Sequence, residues 1–260
     1  MDMIFCPLYS GSSGNALFVQ YGGTRLLIDA GKSGKMITEA LDMIGVDPAT
    51  LDAMLITHEH SDHISGLPVL CKQMGADIYT TEATARQICY RTAGLEQRFC
   101  VFDPGDRFAI GTLTVESFAT SHDCACPVGY TVTDGTRRLA LCTDTGKITR
   151  PMTEAIGGAH TLIGEFNYDP DMLRAGPYPA YLKERILSDH GHLSNETGGK
   201  LAVWAAKQGA NRIILAHLSK ENNLPAVALT AAKNALNDNG ISGVELLAAP
   251  RDNRSDWMEV

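Results

Sequence analysis

Thr57-His58-Glu59-His60-Ser61-Asp62-His63 follows directly on the apolar run Met54-Leu55-Ile56 and crowds three imidazoles and two carboxylates into positions 58 to 63. Alternate side chains of an extended backbone point the same way, so His58 and His60 can grip one metal ion. Asp62 and His63, just past a bend, reach a second ion close by.

Outward from this stretch, periodicity divides the chain into alternating strands and helices. Residues 51–56 read as the strand that delivers the histidine loop. Before it come strands at 3–8, 16–19 and 24–28 and a helix at 35–44. After it come helix 64–74, strand 77–79, helix 82–93 and strands 113–118, 128–132 and 138–142. The last third reads helix 149–156, strand 161–163, helices 178–187 and 195–207, strand 212–215, helix 225–237 and strand 244–247. No long polar linker interrupts the 260 residues. The expectation is one α/β domain over 1–260, with two sheets packed face to face and helices outside.

Bulk properties narrow the function classes. A hydrophobic content of 44% is ordinary for a globular protein. Met1-Asp2-Met3-Ile4 begins no basic-then-apolar leader, and no run approaches the roughly 18 apolar residues that cross a membrane, so a cytoplasmic protein without membrane contact is expected. Seven scattered cysteines suit reduced thiols better than a disulfide framework, and Cys124-x-Cys126 lacks the second pair of a structural zinc cluster. A net charge of −8 argues against a surface that coats nucleic acid non-specifically. Two divalent ions in a cleft still let an acidic protein hold a phosphodiester locally.

Two ions sharing a water need about seven to eight N or O donors, so the opening cluster must be completed from elsewhere. His122 in Thr120-Ser121-His122-Asp123, Asp144 in Thr143-Asp144-Thr145-Gly146, and His217 at the end of Ile213-Ile214-Leu215-Ala216 each follow an apolar strand. Such a position holds a side chain rigidly at a sheet edge.

The order strand-Asp, His-x-His-x-Asp-His, His, Asp, His resembles the signature of the metallo-β-lactamase superfamily, which implies an αββα four-layer sandwich of two mixed sheets. Carried over residue by residue, the resemblance implies that His58, His60 and His122 bind a first divalent ion and Asp62, His63 and His217 a second, with Asp144 bridging. It implies that Asp29, in Leu26-Leu27-Ile28-Asp29-Ala30-Gly31, supports the loop without touching metal. The pairing of Asp62 with a bridging aspartate is typical of superfamily hydrolases acting on phosphodiesters or thioesters, and unlike true β-lactamases. Gly191-His192-Leu193-Ser194 is similar to a tRNase Z element, which gives His192 the role of proton or hydrogen-bond donor to the leaving oxygen; the same residues also read as a cap on the helix from 195.

Together with Ser10-Gly11-Ser12-Ser13-Gly14-Asn15 and His217-Leu218-Ser219-Lys220-Glu221-Asn222-Asn223, these motifs resemble the YycJ (WalJ) family over almost the whole chain. The resemblance implies a DNA-directed phosphodiesterase with 5′-to-3′ exonuclease activity, in which hydroxide from a water shared by two ions (Zn²⁺, Mn²⁺ or Fe²⁺) attacks phosphorus, oriented by Asp62. The chain departs from the family at Tyr168 in Asn167-Tyr168-Asp169, where a histidine is usual. Only 73 positions (217 − 144) separate Asp144 from His217, too few for an inserted β-CASP domain. Substrate is therefore expected on short loops, with Ser12, Ser13, Asn15, Lys220 and Asn222 as candidate contacts and Lys147, Arg150, Lys183 and Arg185 as further phosphate partners; the loop at 10–15 reads equally as a plain turn. Two rival readings remain: a hydrolase of small phosphodiesters, thioesters or lactones, and a non-catalytic, metal-stabilised module that binds nucleic acid or a protein partner.

Overall fold

A computed structural model describes residues 2–260. The first half contains β1 (Ile4–Tyr9), β2 (Ala16–Tyr21), β3 (Thr24–Ile28), α1 (Gly34–Met43), β4 (Ala53–Leu55), α2 (Ser61–Ile64), α3 (Leu67–Gln73), β5 (Asp77–Thr81), α4 (Glu82–Arg91) and β6 (Phe99–Phe102). The second contains β7 (Arg107–Ile110), β8 (Leu113–Ala119), β9 (Val128–Thr133), β10 (Arg138–Cys142), α5 (Arg150–Ile156), β11 (Thr161–Glu165), α6 (Pro170–Ala175), α7 (Ala180–Leu187), α8 (Asn195–Lys207), β12 (Arg212–Ala216), α9 (Pro225–Asp238), β13 (Glu245–Ala248) and β14 (Met258–Glu259).

The strands form two seven-stranded mixed sheets, ordered β14-β1-β2-β3-β4-β5-β6 and β13-β12-β11-β10-β9-β8-β7. Strand side chains alternate between two apolar environments, as the period of two demands. In β3, Leu26 and Ile28 face the opposite sheet while Leu27 faces helices; in β12, Ile214 and Ala216 point inward and Ile213 and Leu215 outward. The outer face of the first sheet is covered by α1, α3 and α4 through Ile37, Leu41, Leu70 and Ile88, and that of the second by α5, α8 and α9 through Met152, Leu201 and Ala232. This is the αββα sandwich expected from the sequence. Helices α8 and α9 approach closely because Gly199 faces Ala235, whose Cβ lies 3.0 Å from where a Cβ on Gly199 would stand.

Several boundaries differ from expectation. The helix expected at 64–74 is split: α2 ends at Ile64, and α3 restarts at Leu67 with Pro68 in its first turn, where the missing N–H costs nothing. Asp62 and His63 therefore sit on a helical turn. The helix expected from 178 begins at Ala180, because Pro179 holds the extended N-cap position. Strands β6, β7 and β14 and helix α6 were not anticipated. The first two are only four residues long, and β14 is only two. Helix α6 does carry a readable start, since the Asp169 carboxylate accepts the N–H groups of Asp171 and Met172 and Pro170 follows it.

Candidate metal centre

The site lies where parallel strands end. β3 runs parallel to β4 in one sheet, and β10, β11 and β12 run parallel in the other, so their C-terminal ends open onto a common cleft. Asp29, Asp144 and His217 stand one or two residues past β3, β10 and β12, and they are the three non-glycine residues with positive φ among those described, at 62°, 55° and 56°. Each left-handed residue costs roughly 1–2 kcal/mol. The strain is confined to the points where the backbone must turn sharply to aim a side chain into the cleft.

Four groups of side chains converge there closely enough to hold an ion: His58, His60 and His122; Asp62, His63 and His217; His58, His63 and Asp144; and Asp144, Glu165, His192 and His217. His58 Nε2 lies 3.1 Å from His60 Nδ1, which lies 3.2 Å from His122 Nε2. Donors about 2.0–2.1 Å from a tetrahedral ion stand about 3.4 Å apart, so this trio already has ligand spacing. On the other side His63 Nε2 lies 3.6 Å from Asp62 Oδ2 and 3.3 Å from Asp144 Oδ2, and His217 Nε2 lies 3.5 Å from Asp62 Oδ2.

Hydrogen bonds behind the rings set their tautomers. Nδ1–H of His63 donates to Asp29 at 2.8 Å, that of His122 to the Gly191 carbonyl at 3.0 Å, and that of His217 to Glu165 at 2.9 Å. Each bond leaves the Nε2 lone pair facing inward, as metal-ligating histidines require. Asp144 Oδ2 and His217 Nε2 are buried without any hydrogen-bond partner. Asp29, Asp62, Asp144 and Glu165 find ion-pair partners only among histidines. Burial alone would raise the Asp144 pKa, but His217 and His63 hold it well below the usual range, and His192 and His217 likewise draw Glu165 down to about 2. Burial would lower His63 and His217, yet the facing carboxylates push His63 well up and His217 to about 10. His58, pressed by burial and by His63, is driven well down. A buried set of carboxylates balanced only by imidazoles, with two orphaned donor atoms, fits divalent cations in place of those protons.

Residues 24–218 match the family described as the Beta-lactamase superfamily domain. The exodeoxyribonuclease WalJ of Streptococcus pneumoniae is 40% identical over 232 residues, covering 88% of this chain and 86% of that protein. The exodeoxyribonuclease YycJ of Bacillus anthracis is 38% identical over 242 residues, covering 92% and 91%. This chain belongs to the WalJ/YycJ family. Solved structures agree on the fold: YhfI from Bacillus subtilis superposes with a TM-score of 0.77 at 21% identity over 100% of both chains, and the short form of human tRNase Z with 0.67 at 19% over 98% and 99%.

In this WalJ/YycJ-family chain the expected support residue Asp29 receives the Thr57 N–H at 2.9 Å and the Thr57 hydroxyl at 2.9 Å as well as His63, so one carboxylate fixes both the start and the end of the histidine run. His192 stands over the cleft, its ring centroid 4.9 Å from that of His122 and 5.1 Å from that of His217. Ser194 caps α8 by accepting the Thr197 N–H, so the capping reading of this segment holds alongside the His192 position.

The expected substrate contacts separate. Ser12, Ser13 and Lys220 are exposed, whereas Asn15 is buried with Nδ2 3.0 Å from His63 Nε2. Asn222 is a correction: it is fully buried, its N–H donating to Ser219 Oγ and its carbonyl accepting the Asp169 N–H, so it braces the loop where no substrate reaches. The expected basic contacts are engaged: Arg185 forks onto Asp123, Lys147 pairs with Asp189 at 2.9 Å, Arg150 with Glu154 at 2.7 Å, and Lys183 donates to the Arg174 carbonyl.

Glu165 was missed by the sequence reading. Fully buried at the end of β11, it accepts from His192 Nδ1 and His217 Nδ1 through Oε1, and from the Thr145 and Leu193 N–H groups through Oε2. Glu59, inside the motif, is also structural: its carboxylate accepts the Ala125 N–H at 2.8 Å and so ties the histidine run to the loop that carries His122. The seven cysteines are unpaired, and none joins a group that could hold an ion among the described residues. No helix among those residues is long and apolar enough to cross a membrane.

Proposed function

We propose that this protein is a metal-dependent DNA exonuclease acting 5′ to 3′, with one divalent cation on His58, His60 and His122, a second on Asp62, His63 and His217, and Asp144 between them. The observation that carries this reading is the buried donor set itself: inward-facing imidazole lone pairs and carboxylates with no cationic partner but histidine. The names of the two relatives, each matched over most of its length, support DNA as the substrate. The donor set accepts Zn²⁺, Mn²⁺ or Fe²⁺.

Bound divalent ions supply Lewis-acid stabilisation of phosphoryl oxygens and a water acidic enough to attack near neutral pH. The chain's own residues do the rest. Asp62, partly open to the cleft, accepts a hydrogen bond from the attacking water and aims it at phosphorus. His192 donates Nδ1–H to Glu165 at 2.8 Å, which turns Nε2 toward the cleft, where it can carry a proton to the departing oxygen. Glu165 keeps His192 and His217 in matching orientations through one shared oxygen.

The test is digestion of 5′- and 3′-labelled single- and double-stranded DNA and RNA by protein reconstituted with defined metals. Mononucleotide release from the 5′ end of DNA is expected, lost in Asp144→Asn together with bound metal. Hydrolysis of cyclic nucleotides or acyl thioesters with DNA left intact would transfer the site to small substrates, and DNA binding without cleavage would make it a binding module.

A further inference from the structure

The loop between β1 and β2 is anchored at both ends beside the proposed donors without supplying one. Ser10 Oγ accepts the His217 N–H at 2.9 Å, and Asn15 Nδ2 lies 3.0 Å from His63 Nε2. Between them the Gly14 N–H donates to the Gly11 carbonyl at 2.9 Å, a turn that leaves Ser12 and Ser13 exposed at its tip.

Two cationic stems cross the loop's two glycines. A Cβ on Gly14 would stand 2.6 Å from Lys32 Cδ, and one on Gly11 would stand 3.3 Å from Arg251 Cγ. The Lys32 side chain is only 11% exposed; its Nζ donates to Ser13 Oγ at 2.9 Å and lies 5.7 Å from the centre of the Tyr9 ring. The carboxylate it pairs with, Asp252, is 3.5 Å away and 69% exposed. Arg251 donates one terminal nitrogen to the Ser219 carbonyl at 3.2 Å, while its Nε is buried with no partner among the described residues. Two cations with unspent donors thus flank a hydroxyl-bearing turn at the edge of the cleft, in a chain whose net charge is −8. Hydroxyls, an ammonium and a guanidinium suit a phosphate oxyanion.

We propose that Ser12, Ser13, Lys32 and Arg251 form a second phosphate subsite, which holds a phosphate of the strand other than the one being cleaved. The proposal rests on the nuclease reading above. The phosphate is either the terminal monoester or a neighbouring diester, and Asp252 is the exposed counterion that it displaces.

The experiment compares the metal-loaded full chain with the Lys32→Ala/Arg251→Ala double variant and the conservative Lys32→Arg/Arg251→Lys variant. Substrates are DNA with a 5′-phosphate, the same DNA with a 5′-hydroxyl, and bis(p-nitrophenyl) phosphate, which has no second phosphate. Loss of two charge-assisted hydrogen bonds should raise KM on DNA about tenfold or more, with kcat nearly unchanged and partial rescue in the conservative variant. A rise confined to the 5′-phosphorylated strand identifies a terminal monoester, and an equal rise on both strands a neighbouring diester. Unchanged KM on both strands, or an equal loss on bis(p-nitrophenyl) phosphate, overturns the subsite. Failure of the nuclease reading is distinct, because the unsubstituted protein would then leave DNA intact. Anisotropy of a fluorescent 5′-phosphorylated oligonucleotide on the metal-free protein then decides the subsite: weaker binding by the double variant sustains it and equal binding overturns it.

Discussion

Replacing Glu165 by Gln changes one atom and should disable two histidines. The carboxylate accepts four hydrogen bonds, at 2.8 and 2.9 Å on Oε1 and 3.1 and 3.0 Å on Oε2. An amide offers an acceptor on one side only. If its NH₂ faces Thr145 and Leu193, it meets two backbone N–H donors that cannot change identity. If it faces His192 and His217, both rings must move their proton to Nε2, which removes the lone pair His217 aims inward. The first orientation breaks two buried hydrogen bonds to a charged group, at about 1.5–3 kcal/mol each, so a stability loss of about 3–6 kcal/mol is expected before relaxation; the second keeps all four bonds but gives up the tautomer that His217 needs. Support carboxylates of this kind also set metal affinity, typically by about 10–100-fold. Zinc titration against a competing chelator, with thermal denaturation of the same preparation, measures both effects. A Glu165→Gln protein with metal affinity and DNA turnover within about twofold of the unsubstituted protein would refute the claim that this carboxylate fixes the two tautomers.

Asp29→Asn tolerates the left-handed backbone but loses one acceptor among Thr57 and His63, and it should lower metal affinity by about 10–100-fold with little change in melting temperature; Asp29→Gly, read by the same titration, should lose at least as much. Gly31→Ala places a Cβ 1.6 Å from the Asp62 carbonyl and 2.5 Å from Asn15 N, so it must push the histidine motif aside; a cost of about 1–3 kcal/mol or more should appear as a lower melting temperature and reduced metal content. Tyr168 is buried with Leu173 and Ile186 under α6 and α7. Tyr168→Ala should cost about 3–5 kcal/mol and expose residues 170–190 to limited proteolysis, whereas Tyr168→Phe should not.

The αββα layering was legible because β3, β4, β8, β10 and β12 carry apolar alternation or runs that period-two reasoning catches, and because His58, His122, Asp144 and His217 each come soon after such a run. What escaped depended on strand order. Glu165 ends the run Leu162-Ile163-Gly164 just as His217 ends Ile213-Ile214-Leu215-Ala216, so the rule that singled out His122, Asp144 and His217 applied equally to it. Nothing local, however, says that β11 lies between β10 and β12, and only that placement, with Glu165 paired to Ala216 and Gly164 to Cys142, brings the carboxylate under two imidazoles. Asn222 failed in the opposite direction: its neighbourhood in the motif suggested a rim, but a polar side chain in a tight turn is as often spent on its own loop as on a ligand. Its backbone N–H and its side-chain amide both donate to Ser219 Oγ and its carbonyl accepts the Asp169 N–H, bonds across the turn that no linear spacing distinguishes from an exposed contact. A strand-end polar residue is therefore informative about a site only once the neighbouring strands are known. By that criterion Glu165 joins the seven candidate donors as a residue whose substitution reaches the chemistry, and Asn222 leaves the candidate substrate contacts.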